Sequence, residues 1–192
     1  MTFKDDVDEE HKNPWRTLSS RIVYDNPWIR VREDQVLRPD QRPGIYGVVH
    51  FKNIAIGILP IDANGDVHLV GQYRYPLQCY SWEIPEGGCP EGEEPLKAAQ
   101  RELLEETGLQ AGTWKLIGGA YLSNSVSDEK ALWYLATDLI QGKAEPDGSE
   151  VLERKVVRFE EALNMIDRRE ITDALTILAL HHYARLEKSG RL

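Results

Sequence analysis

Cysteine is scarce: Cys79 and Cys89 are the two among 192 residues, too few for a disulfide framework and without the spacing of a zinc knuckle. Long hydrophobic runs are missing as well. Residues 54–61, broken by Gly57 and Pro60, and residues 174–180 are the longest, well short of the roughly 20 that a membrane helix needs. The first thirteen residues are acidic and polar and lack the basic start and apolar stretch of a secretory signal. Together these absences predict a cytoplasmic protein with reduced thiols and no membrane partner. Positive charge is in deficit, with 23 Lys and Arg against 32 Asp and Glu for a net charge of −9, which repels a polyanion and argues against binding nucleic acid polymers. No Gly-x-x-x-x-Gly-Lys-Ser/Thr loop is present, which excludes the kinases and ATPases built on it. His181 and His182 are adjacent, so on a helix they point about 100° apart and cannot readily share an ion.

What is present suits a folded domain. Hydrophobic residues make up 41% and charged residues 29%, and the length allows one sizeable core with a minor appendage. Residues 1–14 are expected to be disordered. Residues 15–50 alternate in the two-residue period of half-buried strands, with turns expected at 38–40 and 42–44, and read as an N-terminal β region. Residues 53–60 and 67–74 read as strands joined by Asp62-Ala-Asn-Gly-Asp66, where Asn-Gly suits a hairpin turn. Further strands are expected at 114–122, 131–137 and 154–159, with a polar loop at 123–129 and an acidic one at 142–150. Residues 95–107 are predicted to be a helix, with Pro95 near its start and Gly108 at a left-handed stop. Two more helices are expected at 159–167 and 173–188, the latter packing on Leu175, Leu178 and Ala179.

The acid is concentrated. Residues 83–106 hold eight glutamates against Lys97 and Arg101, a local charge of −6. Glu102, Glu105 and Glu106 stand at i, i+3 and i+4 and share one helix face, while Leu96, Ala99 and Leu103 lie on another stripe that can pack on a sheet. Like charges so close repel by a few tenths of a kcal/mol per pair. Arg101 can pair with Glu105 four residues on, which leaves two carboxylates to compensate. Hard oxygen donors at this density suit Mg²⁺ or Mn²⁺, and a solvated acidic face is the alternative.

The surrounding pattern decides between them. Gly87, five residues, Glu93, seven residues and then Arg101-Glu-Leu-Leu-Glu-Glu-Thr-Gly-Leu109 resembles the Nudix hydrolase signature at all nine defined positions of a 23-residue span. The resemblance implies an α/β fold, the Nudix α/β/α sandwich with a mixed sheet and a loop-helix-loop catalytic motif, plus the N-terminal β region, with residues 51–192 as the hydrolase domain. It implies Mg²⁺, with Mn²⁺ able to substitute, held by Glu102, Glu105 and Glu106 and by the backbone carbonyl of Glu86. It also implies that Arg101 orients a carboxylate and that Glu93 supports the motif or joins the metal site.

Outside the signature, Gly71-Gln-Tyr-Arg-Tyr-Pro76, Trp82-Glu-Ile-Pro-Glu-Gly-Gly88 and Glu170-Ile-Thr-Asp-Ala-Leu-Thr176 resemble the sub-family of ADP-ribose pyrophosphatases and nucleoside-diphosphate-sugar hydrolases. In that group the N-terminal β region forms a homodimer and lends residues to the partner's pocket. Arg74 then becomes a candidate phosphate contact, because its fork matches phosphate oxygens. Trp28 is a candidate for stacking on a nucleobase, and Glu83 for touching ribose or metal or forming a strand-end salt bridge. Glu150 is the candidate general base, with Glu145 and Glu153 as alternatives. ADP-ribose-specific members carry a proline in the loop where this chain has Ser123-Asn-Ser-Val-Ser127, which keeps GDP-mannose and ADP-glucose open beside ADP-ribose. Nucleoside triphosphates, dinucleoside polyphosphates and a role as a non-catalytic sensor are the remaining alternatives.

Overall fold

The computed structural model describes residues 12–142 and 151–192. Two compact units form, one from the chain up to Asn53 together with Tyr121–Lys130, the other from Ile54–Ala120 and Ala131–Leu192.

In the first unit, β1 (Arg16–Asp25), β2 (Ile29–Leu37) and β3 (Pro43–Phe51) form an antiparallel sheet in that order. The turn expected at residues 42–44 is shorter than the sequence suggests, because Pro43 opens β3 opposite Leu37. A proline, lacking an N–H, is tolerated at the first position of an edge strand. Trp28 precedes β2 rather than lying in it: the Asn26 side chain accepts from the amides of Trp28 and Ile29 at 2.9 and 2.7 Å, and this Asx turn competes with the ladder. The 121–130 segment joins this unit through β3, with amides exchanged between Val49 and residues 126 and 128.

Among the described residues, the second unit holds two sheets and three helices. One sheet runs β7 (Glu86–Cys89), β4 (Ile54–Pro60), β9 (Lys130–Gln141), β8 (Leu109–Tyr121), and the other β10 (Glu153–Arg158), β5 (Asp66–Arg74), β6 (Cys79–Glu83). β4 is antiparallel to β7 and parallel to β9, so its sheet is mixed. Helices α1 (Pro95–Thr107) and α3 (Ala174–Lys188) both pack on β4, and α2 (Phe159–Asp167) packs on β5 and β10. This is the expected α/β/α sandwich.

The three helices follow the sequence reading closely. Gly108 closes α1 at φ 71°, and the Asp173 side chain caps α3 by accepting from the Thr176 amide. Two details differ. Leu96 is exposed while Ala98 joins Ala99 and Leu103 in the core, and Leu178 is exposed while Leu175 and Ala179 are buried. The expected hairpin of residues 53–60 and 67–74 is also replaced. Asn-Gly makes the turn, with Gly65 at φ 82°, but a single bridge, Ile61 to Val67, forms in place of a β4–β5 ladder. Ile56, Ile58 and Leu59 on β4 are fully buried, as in a strand covered on both faces, so β4 pairs with β7 and β9 while β5 enters the other sheet. Strands β6 and β7 go beyond the sequence expectations; at β7, prolines and glycines dominate residues 85–90 and mask the alternation. Among the described residues, no helix is long and apolar enough to cross a membrane.

Candidate active site

Helix α1 and the β6–β7 connection carry most of the predicted residues to one place. Arg101 projects from α1 and gathers four acceptors. Its Nη1 donates to Glu102 at 2.6 Å and Glu105 at 3.2 Å, and its Nη2 donates to Glu93 at 3.1 Å and the Gly88 carbonyl at 3.0 Å. Glu93 first, and then Glu102, raise the guanidinium above its ordinary value against the effect of burial, so Arg101 is a fixed cation that orients three carboxylates and ties α1 to β7.

Glu106 and, with its other contacts, Glu102 turn to the main chain of residues 86 and 87. Glu106, 6% exposed, accepts from the Glu86 amide at 3.0 Å. A β-carbon added at Gly87 would fall on the Glu102 carboxylate, which explains why glycine stands there: Glu102 approaches the bare backbone directly. Thus Glu106 and Glu102 flank the main chain of Glu86, Glu106 at its amide and Glu102 at the following α-carbon, with the Glu86 carbonyl between them in sequence.

Arg74, at the end of β5, meets this cluster from the second sheet. Its Nε donates to both Glu83 oxygens at 3.0 Å, and its Nη2 reaches Glu83 and Glu86. Glu83 is therefore the buried partner of Arg74, one of the two roles open to it from sequence. Burial opposes the charge on Arg74, but Glu83 and Glu86 outweigh it and hold the guanidinium above its ordinary value. Glu86 feels the opposite pull: burial first, then Asp173 and Glu83, push its carboxyl well above the usual range, with Arg74 opposing. Asp173, the cap of α3, is a member of this charge cluster that the sequence reading did not single out. Its signal lay in Glu170-Ile-Thr-Asp-Ala-Leu-Thr176, where Glu170 accepts from the Trp82 amide and Thr176 Oγ1 from the Ile84 amide, fastening the β6–β7 connection from below.

Among the described residues, no three His, Cys, Asp or Glu side chains stand as they would around an ion; Arg101 and the Glu86 amide engage the carboxylates instead. The donor chemistry nevertheless fits a divalent cation. Arg101 faces Glu93, Glu102 and Glu105, Arg74 faces Glu83 and Glu86, and Glu106 stands at the Glu86 amide, so carboxylates outnumber the arginines among them. Hard oxygen donors in excess are what Mg²⁺ or Mn²⁺ requires.

The remaining predicted residues are placed as follows. Trp28 belongs to the first unit and is 67% exposed. Glu150 and Glu145 lie outside the described residues. Glu153 opens β10 opposite Gly71, on the face of Tyr80 and Trp82, whereas Arg74 and Glu83 occupy the alternate face. Cys89 is buried, and burial raises its thiol above the ordinary range, which suits a small core residue.

Comparison with known proteins bears on the whole arrangement. Residues 51–176 match the model of the NUDIX domain, and residues 15–49 match that of the nucleoside diphosphate sugar hydrolase N-terminal domain. An ADP-ribose pyrophosphatase of Mycobacterium tuberculosis (strain ATCC 25618 / H37Rv) is 34% identical over 88% of this chain and 84% of its own length. One of Bacillus subtilis (strain 168) is 31% identical over 87% and 91%. A crystal structure described as an ADP compounds hydrolase superposes with a TM-score of 0.82, covering 93% of this chain and 97% of that one at 21% identity, and so shares the fold.

Proposed function

Because the chain belongs to the Nudix family of pyrophosphohydrolases, we propose that it hydrolyses the diphosphate bond of a nucleoside diphosphate sugar, with ADP-ribose the first candidate. The products are a nucleoside monophosphate and a sugar phosphate. The observation that carries this reading is the convergence of Glu106 on the Glu86 amide and of Glu102 on the Gly87 α-carbon, beside the Arg74–Glu83 pair. The names of the two bacterial relatives favour ADP-ribose. The Ser123–Ser127 loop, which lacks the proline of ADP-ribose-specific members, keeps GDP-mannose and ADP-glucose in the set.

Glu102, Glu105, Glu106 and the Glu86 carbonyl would hold Mg²⁺, which when bound neutralises the diphosphate and lowers the pKa of water. Arg101 keeps Glu102 and Glu105 in place through the bonds described. Arg74 offers its fork to a phosphate oxygen, and Glu83 fixes the orientation of that fork. Glu150 is the proposed general base: it accepts the proton of the attacking water while the water oxygen bonds to phosphorus and the bridging P–O bond breaks. The placement of Glu153 on the other sheet face favours the loop residue over it. The N-terminal β region is proposed to form a homodimer and to present Trp28 to the nucleobase in the partner's site. Edge strand β1, exposed along all ten residues with Leu18, Ile22, Val23 and Tyr24 each about half accessible, supports a partner there.

The test is direct. Purified protein is incubated with ADP-ribose, GDP-mannose and ADP-glucose in Mg²⁺, and products are separated by chromatography. Release of a monophosphate from at least one is expected, and release from none overturns the proposal.

A further inference from the structure

Arg154 stands on β10 opposite Val70 of β5, which by alternation puts it on the sheet face of Arg74 and Glu83 rather than that of Glu153. Its Nε donates to the main-chain carbonyl of Glu106 at 3.0 Å. That carbonyl belongs to the last turn of α1, where the helix dipole is negative and a cation is favoured. The turn itself holds Glu105 and Glu106 and no basic residue, so its own charges oppose the dipole. The other described donors at this end are neutral: Thr107 Oγ1 to Leu103, the Gly108 amide to Leu104, and the Gly142 amide and Gln141 Nε2 to Gly108. Among the described residues Arg154 is the cationic donor to these carbonyls.

Glu106 is consequently held from two directions, its carboxylate by the Glu86 amide and its carbonyl by Arg154. We propose that Arg154 is a positioning residue for diphosphate cleavage, locking the Glu106 end of the acidic helix to β10 so that the Glu106 carboxylate keeps its place against the Glu86 amide. The inference rests on the Nudix chemistry proposed above. A side chain that only stabilised the helix would change melting temperature; one that positions Glu106 also changes cation affinity and kcat, because a shift of about 1 Å can cost on the order of 100-fold in rate.

The experiment compares Arg154→Met, which keeps the apolar stem, with Arg154→Lys, which keeps a cationic donor. ADP-ribose kinetics are read beside calorimetric binding of Mn²⁺ to the nucleotide-free protein. Arg154→Met is expected to lower kcat about 10- to 100-fold with KM within about 3-fold, and to weaken Mn²⁺ about 10-fold; Arg154→Lys should recover most of both. Wild-type kcat and Mn²⁺ affinity in Arg154→Met overturns the proposal. So does an Arg154→Lys protein that regains melting temperature but not kcat and Mn²⁺ affinity. Should Arg154→Met fail to fold, Arg154→Gln takes its place under the same criteria. A wild-type protein that binds Mn²⁺ but cleaves no sugar nucleotide overturns the function proposed above, and the Mn²⁺ comparison then decides the role of Arg154 alone.

Discussion

Glu106 combines two duties, since its carboxylate accepts from the Glu86 amide and also belongs to the proposed metal set. Glu106→Gln separates them. Glutamine retains an acceptor for the amide, so stability should change by no more than about 1 kcal/mol, while the lost charge should lower kcat by about 100-fold or more. Melting curves and steady-state kinetics on the substrate found in the screen check both halves; an active variant would remove Glu106 from the metal set. Such residues were legible in sequence because their spacing is local: one turn of helix fixes which glutamates share a face. Arg101 was legible for the same reason, as its partners Glu102 and Glu105 lie one and four positions on. Asp173 and Arg154 were not. Their contacts with Glu86 and Glu106 span long stretches of chain, and nothing in a one-dimensional pattern says which aspartate or arginine the fold will carry there.

At the scale of elements, the bounds of α1 and α3 were readable because Gly108 stops one and Asp173 caps the other within a few residues, while α2 was readable from its apolar spacing. Strand pairing was harder, since it depends on which faces are covered. Gly57 in β4 illustrates the density that decided it: a β-carbon there would stand 3.0 Å from Ile84 and from two atoms of Leu175. Gly57→Ala should therefore destabilise the protein by about 1–3 kcal/mol through overpacking, measurable by urea denaturation. The 123–129 loop, read from sequence merely as polar, is fastened to β3. Tyr46 donates its hydroxyl to the Ser125 carbonyl at 2.8 Å, and Asp128 accepts from the Phe51 amide at 3.0 Å while its other oxygen lies 2.6 Å from His50 Nδ1. Burial works against the Asp128 carboxylate, but His50 and the Phe51 amide prevail and hold it below the usual carboxylate range. A depressed carboxyl stabilises the folded state above the unfolded pKa of about 4 and loses that contribution as pH falls through the lower folded value. Asp128→Asn should hence flatten the acid side of the stability profile. Thermal melts from pH 7 down to about pH 3 would show wild type losing more stability than the variant over the lowest part of the range; parallel profiles would mean the pair contributes nothing, as exposed pairs often do.

For the molecule as a whole, the net charge of −9 is unevenly spread, with −6 carried by residues 83–106. The fold adds Asp173 and Arg74 to the same cluster and leaves its excess of acid in place, so the site stores like-charge repulsion that two arginines relieve only in part. A cation that binds the folded site and not the unfolded chain stabilises by RT ln(1 + [L]/Kd), about 2.7 kcal/mol at 100 times Kd. For a chain of this length 1 kcal/mol moves the midpoint by roughly 2–4 °C, so saturating Mg²⁺ should raise the melting temperature by several degrees without any nucleotide. Screening by a monovalent salt acts on all exposed charges and falls off within about 10 Å at 0.1 M, so NaCl at matched ionic strength should give a smaller shift. The Mg²⁺-specific difference should shrink in Glu106→Gln, which removes one donor, and persist in Asp128→Asn, which lies in the other unit. Differential scanning fluorimetry of the three proteins across a Mg²⁺ series reads all of this. Equal shifts with NaCl and Mg²⁺ in wild type would mean that the acidic cluster is a screened surface after all, the alternative that its charge alone had left open.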